Sequence, residues 1–145
     1  MEHSTDPISR LSDAECWEHL RREPMGRLVT RVGEVMDITP VNFVTDGESI
    51  VLRTAPGNKL SELSINSSVL FEVDHFDTEM GWSVIVRGQA RAVEEEAEIL
   101  HLEQLPLRPF IPTLKPVFVR ITADSLSGRA FRFGTEPRRE DQQDG

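Results

Sequence analysis

Residues 26–54, GRLVTRVGEVMDITPVNFVTDGESIVLRT, constrain the fold more than any other stretch of this chain. β-Branched and other apolar residues alternate with polar ones, a pattern that suits a pleated, half-buried strand better than a helix. The segments VGE and TDGES interrupt the alternation with residues suited to tight turns. Three antiparallel strands are therefore expected, at about 26–32, 35–45 and 49–54.

The strand pattern returns twice. SVLFEVDHF (68–76) reads as one strand, and GWSVIVRGQARAVE (81–94) as a long one whose Gly88 marks a bulge or bend. VFVRITADSLSGRAFRFG (117–134) reads as two strands around an Ala-Asp turn. Small helices fall between. In LSDAECWEHLRRE, Ser12 and Glu15 have the spacing of a capping box, Cys16, Trp17 and Leu20 form an apolar stripe, and Pro24 ends the helix near Glu23. A second short helix is expected over about 58–66, and a third in EEEAEILHLEQL, whose first-turn acids suit the helix dipole. The proline-rich PLRPFIPTLKP reads as a connecting loop, residues 1–10 as a flexible leader and residues 135–145 as a disordered polar tail. One domain, 11–134, remains. Its fold class is mainly β: six or seven antiparallel strands with small helices, closed or nearly closed into a barrel, because closure removes exposed sheet edges. Strand order does not follow from the pattern.

Composition narrows the partners. A net charge of -9 disfavours nucleic acid and anionic lipid, which attract basic faces. The single cysteine, Cys16, excludes an intrachain disulfide and fits a cytoplasmic protein. No signal-peptide pattern and no apolar run of roughly 20 residues is present, so no membrane segment is expected. His3, His19, His75 and His101 lie outside metal-ligand spacing, and EVDHFDTE lacks the ligand pattern of a calcium loop, so no metal site is expected. No G-x-S-x-G element supports a hydrolytic triad.

RTAPGNKL, residues 53–60, is the strongest candidate for chemistry. It joins a strand ending in Arg53 and Thr54 to a helix entered through Gly57, Asn58 and Lys59. Such a junction aims helix-start amides, a hydroxyl and two cations at one point, which suits an anion. A plain surface turn, with Asn58 as N-cap and Lys59 solvated, remains the alternative. The segment is not a P-loop.

Taken in order, ECWEHL with GRLVT, ITPVNFV, IVLRTAPGNKLSEL, VLFEVD, GWSVIVRGQARAV and SGRAFRF resemble the pyridoxamine 5′-phosphate oxidase-like split-barrel flavoproteins, in particular their short actinobacterial-type members. The resemblance runs from about Leu11 to Phe133 and implies an FMN-binding split barrel, with the flavin held at a homodimer interface. It implies that Val41 and Asn42 meet the polar edge of the flavin ring. Arg53, Thr54, Asn58 and Lys59, with the adjoining Leu60, would hold the phosphate. Trp82, Ser83 and Val84 would lie where a strand meets the ring, and Arg129 would approach the cofactor or the dimer partner. Packing is the alternative role for Trp82, as a sheet hydrogen bond is for Asn42 and a surface charge for Arg129.

This chain departs from the vitamin B6 oxidase itself. Asn58-Lys59 replaces a Ser-Arg-Lys run, Ser83 stands in place of a Gln, and the C-terminal Trp and Arg-Leu-His substrate segment has no counterpart. The implied function is an FMN-dependent oxidoreductase acting on a small molecule other than pyridoxine phosphate. The alternatives are a reductase using the deazaflavin F420, whose longer anionic tail needs a wider basic groove, or a non-catalytic flavin- or haem-binding protein with His75 or His101 as axial ligand. No catalytic residue is assigned, which fits hydride transfer performed by the flavin.

Overall fold

The computed structural model describes residues 6–107 and 114–138. Eight strands, β1 (Ile8–Leu11), β2 (Met25–Val32), β3 (Val35–Asn42), β4 (Val44–Thr45), β5 (Ser49–Thr54), β6 (Ser68–Phe76), β7 (Met80–Ala92) and β8 (Val117–Arg132), alternate with α1 (Asp13–Arg21), α2 (Asn58–Ile65) and α3 (Glu96–Glu103). Every pairing is antiparallel, in the order β3-β2-β6-β7-β8-β5-β4, with β1 added beside β8.

The expected strand 35–45 is one extended segment broken at Phe43. Before the break it pairs with β2, and after it with β5, so consecutive residues belong to the two ends of the sheet. The break is pinned: the Phe43 amide and the Asn42 Nδ2 both donate to the Pro24 carbonyl, at 3.1 and 3.2 Å. Phe43 itself is buried edge-on against Phe71, with ring centroids 4.9 Å apart. This is how the sheet curls around a core without forming a full cylinder.

Three other expectations need correction. Ile8–Leu11 is a strand and not leader, because β8 supplies a partner that no local pattern announces. Val117–Arg132 is one continuous strand; Asp124 is not in a turn but is the extra residue of a bulge in β8, opposite the step from Arg87 to Gly88 of β7. The helix starting at Asn58 is capped by Gly57, with no side-chain cap from Asn58. The expected capping box of α1 is present, with Ser12 and Glu15 exchanging bonds at 2.9 and 3.2 Å. Residues 1–5 of the expected leader, 108–113 of the expected loop and 139–145 of the expected tail lie outside the described residues.

Alternation dictates what the sheet encloses. Leu28, Phe71, Val73, Val84, Val86 and Ile121 point inward, where α1 adds Cys16, Trp17 and Leu20. Gly128 allows that helix close approach, since a Cβ there would press on the Cys16 Sγ at 2.5 Å. On the other side of β5, α3 covers Val51 and Phe118 through Leu102. Arg120 anchors α3 through its own charge, donating from Nε to Glu98 at 2.7 Å and from Nη1 to Ser49 at 2.6 Å, with Asp46 at 2.9 Å. Among the described residues, no helix is long and apolar enough to cross a membrane.

Two outcomes test this architecture. A Cβ on Gly88 would run into the Thr122 carbonyl, so Gly88→Ala should cost about 1–3 kcal/mol by overpacking, read from chemical denaturation. Arg91 and Arg120 hold the Glu98 carboxyl down at about 2, against an ordinary 4.5. A depressed acid stabilises the fold fully above its unfolded value and loses that contribution as pH falls toward the folded one. Thermal melts should therefore show a loss between about pH 4.5 and 2 that is smaller in Glu98→Gln.

Candidate functional site

The turn from β5 to α2 gathers donors as its sequence suggests. Gly57 has φ of 153°, a backbone conformation that disfavours side chains, and no atom lies within 4 Å of where its Cβ would be. The helix it opens has no side-chain cap and no acid in its first turn, so its leading amides and positive dipole end are uncompensated. Arg53 is half-buried; its Nε donates to the Lys115 carbonyl at 2.8 Å and its guanidinium lies 4.9 Å above the Phe118 ring. Its terminal nitrogens have no other partner among the described residues. Thr54 makes only a long 3.3 Å bond to the Ala55 carbonyl, leaving its hydroxyl easily redirected.

Lys59 differs from the expectation of a free cation. Its Nζ lies 3.2 Å from Glu62, which also accepts from the Thr30 hydroxyl at 2.8 Å. Those two bonds, Thr30 first, draw the Glu62 carboxyl below its ordinary value. Asn58 lines a cleft of about 340 Å³ with Thr30, Asp37 and Glu62, a surface that is acidic and not cationic. Leu60 packs against the core.

The residues expected at the ring divide by sheet face. Val84 is wholly buried in the core, and its flanking strands pair it to Val73 and Gly128, so its side chain cannot reach a ligand. Val41 also faces the core side. Trp82 shares the Val84 face farther along β7, where the His19 ring stacks on it with centroids 4.4 Å apart and planes 27° apart. Burial lowers the His19 imidazole below its ordinary value, which favours the neutral ring against the indole. Two adjoining clefts, about 320 and 220 Å³, share His19, Met80, Gly81 and Trp82. Ser83 points to the opposite, outer face, between Asp74 of β6 and Arg129 of β8.

One chain does not bring the two groups together. Arg53 pairs with Phe118 at one end of β8, and Ser83 pairs with Arg129 toward the other. Eleven residues of strand separate those positions, roughly 35 Å along the chain. The cleft lined by Asn58 and those lined by Trp82 share no residue.

Sequence reasoning did not single out His19 or Arg10 as site residues, and it weighed the carboxylates of EVDHFDTE only as a metal site. The capping box foretold the helix carrying His19, but not that its end would meet β7. On the outer face Arg27 bridges Glu72 and Asp74 at 2.9 and 3.0 Å. Burial, followed by the neighbouring Asp74, pushes the Glu72 carboxyl up to about 7 despite Arg27.

A model of the family described as pyridoxamine 5′-phosphate oxidase matches residues 12–130. An uncharacterized Mycobacterium tuberculosis protein is 38% identical over 96 residues, which cover 66% of this chain and 87% of that protein. The solved FAD binding protein from Mycobacterium smegmatis is 43% identical, with a TM-score of 0.76, over 86% of this chain and 99% of its own. A candidate pyridoxamine 5′-phosphate oxidase from Corynebacterium glutamicum is 38% identical, with a TM-score of 0.81, over 92% of this chain and all (100%) of its own.

The outer-face carboxylate yields a pH prediction. A carboxyl whose folded value is raised favours folding below its ordinary value of 4.5 and loses that contribution as pH rises through about 7. Melting temperature should fall across that window in the parent chain, and the fall should flatten in Glu72→Gln. An unchanged slope would show that Glu72 ionises normally.

Proposed function

The chain belongs to the pyridoxamine 5′-phosphate oxidase family, and on that premise we propose that it is an FMN-binding flavoprotein acting as an oxidoreductase on a small molecule. The observation that carries this reading is the β5–α2 turn, where an uncapped, acid-free helix start meets Arg53 and Thr54. The donor set suits a phosphate: amides and the Thr54 hydroxyl donate, while Arg53 offers two parallel N–H groups matched to a pair of phosphate oxygens. Gly57 leaves room for the phosphate to approach the backbone. Lys59 would turn from Glu62 toward the bound anion, a short movement for a flexible ammonium.

A bound flavin supplies the hydride and electron chemistry; the protein supplies binding, orientation and electrostatics. Arg53 and the turn fix the tail, and Ser83 offers a hydroxyl to a polar ring edge. The stacked His19–Trp82 pair lies on the sheet face opposite Ser83, where it gives the adjoining clefts a flat, neutral wall. No acid or base is required of the protein for the transfer itself.

The same reading includes a homodimer. Its support is the placing of the turn and Ser83 toward opposite ends of β8, together with Val35, Met36 and Ile38 on β3, each more than 60% exposed at 65%, 63% and 63%. FAD is the second reading for the cofactor, favoured by the likeness to the FAD binding protein from Mycobacterium smegmatis at 43% identity.

Purified protein should absorb as a flavoprotein, and chromatography of the cofactor released on denaturation should return FMN; release of FAD would select the second reading. Protein that stays colourless with either flavin would overturn both. Lys59→Ala and Arg53→Ala should each weaken flavin binding about tenfold to a hundredfold, the worth of a hydrogen bond to a charged group. Unchanged affinity in both would place the phosphate elsewhere.

A further inference from the structure

Arg10 of β1 and Arg129 of β8 stand directly opposite each other in the antiparallel register. Opposed residues share a face and hold their Cβ atoms about 5 Å apart, a placing that destabilises a pair of like charges. Neither guanidinium has a hydrogen bond or ion pair with any described residue. The nearest acid along the same row is Asp74, beyond Ser83, and Arg27 already holds it. In a chain of net charge -9, acids to neutralise this pair are abundant, yet none among the described residues does so.

The next row on the same face is apolar. Ile8 pairs with Phe131, Phe131 with Gly81, and Gly81 with Phe76. Phe76 stacks at 6.5 Å from Phe131 and 6.1 Å from Phe133, and Ile8, Phe76 and Phe133 are 53%, 54% and 44% exposed. Two unneutralised cations and a hydroxyl thus border a shelf of exposed aromatic rings.

We propose that Arg10 and Arg129, with Ser83 beside them and the Phe76–Phe131 shelf, bind a small molecule that joins a flat apolar body to one carboxylate or phosphate. Two forked guanidinium groups match the oxygens of such a head group, and the rings stack on its body. Binding removes the repulsion between the two arginines, so the anion is favoured over a neutral molecule of equal shape. The site rests on sheet register and is independent of the flavin; its assignment as the substrate site rests on the proposed function, through Ser83, which borders both.

The test uses the full chain and three naphthalene probes followed by calorimetric titration: 2-naphthoate, 2-naphthyl phosphate and neutral 2-naphthol. At least one anion should bind more tightly than 2-naphthol, and the tighter anion identifies the head group. Arg10→Gln and Arg129→Gln should each weaken that anion about tenfold and leave 2-naphthol unchanged. Phe76→Ser should weaken all three. Equal binding of anions and 2-naphthol would overturn the proposal, as would unchanged anion affinity in the double arginine variant. A double variant that shifts the monomer–dimer equilibrium while anion affinity holds would also overturn it, making the patch a contact for a second copy. Flavin content, measured on the same samples, separates the two readings: a colourless protein that still discriminates the anions refutes the flavin reading alone.

Discussion

Everything in this molecule is hung on β8. Its sixteen residues pair with β7 along almost their whole length, with β5 at the start, from Val117 to Thr122, and with β1 near the end, from Gly128 to Phe131. A strand that long cannot stay flat, because right-handed twist accumulates along it. The bulge between Arg87 and Gly88 absorbs the mismatch, and the glycine lets β8 bend in close contact with its neighbour. Bending wraps the sheet around α1, and the break at Phe43 brings the two ends of the sheet onto one extended segment.

Function follows from the same strand. The phosphate-suited turn continues from the β5 segment beside one end of β8, while Ser83 and Arg129 lie toward the other. A hydrogen-bonded ladder fixes the positions of the two regions along β8. The geometry also sorts neighbouring residues of β7 by face: Trp82 joins the His19 stack, Ser83 faces out, and Val84 is buried. A single residue of register would exchange these roles.

Charge in this chain is mostly neutralised locally. Arg120 is satisfied by Glu98, Asp46 and Ser49, Arg91 by Glu98, and Arg27 by Glu72 and Asp74. Against that background, half-buried Arg53, whose terminal nitrogens have no partner among the described residues, and the opposed, exposed Arg10 and Arg129 stand apart.

The sequence by itself determined most of the strands, the α1 capping box, the bulge beside Gly88 and the donor-rich β5–α2 turn. Each is written in neighbouring residues: alternation, Ser-x-x-Glu spacing, a glycine within a strand, and a glycine before a helix. Block order along the chain was also enough to indicate the family that the later comparisons matched. Tertiary structure alone decided which face each strand residue takes and which distant strand it meets. It made a strand of Ile8–Leu11, buried Val84 and set Arg10 against Arg129. Such outcomes depend on register between separate segments, more than a hundred residues apart for β1 and β8, and local propensity carries no record of that register.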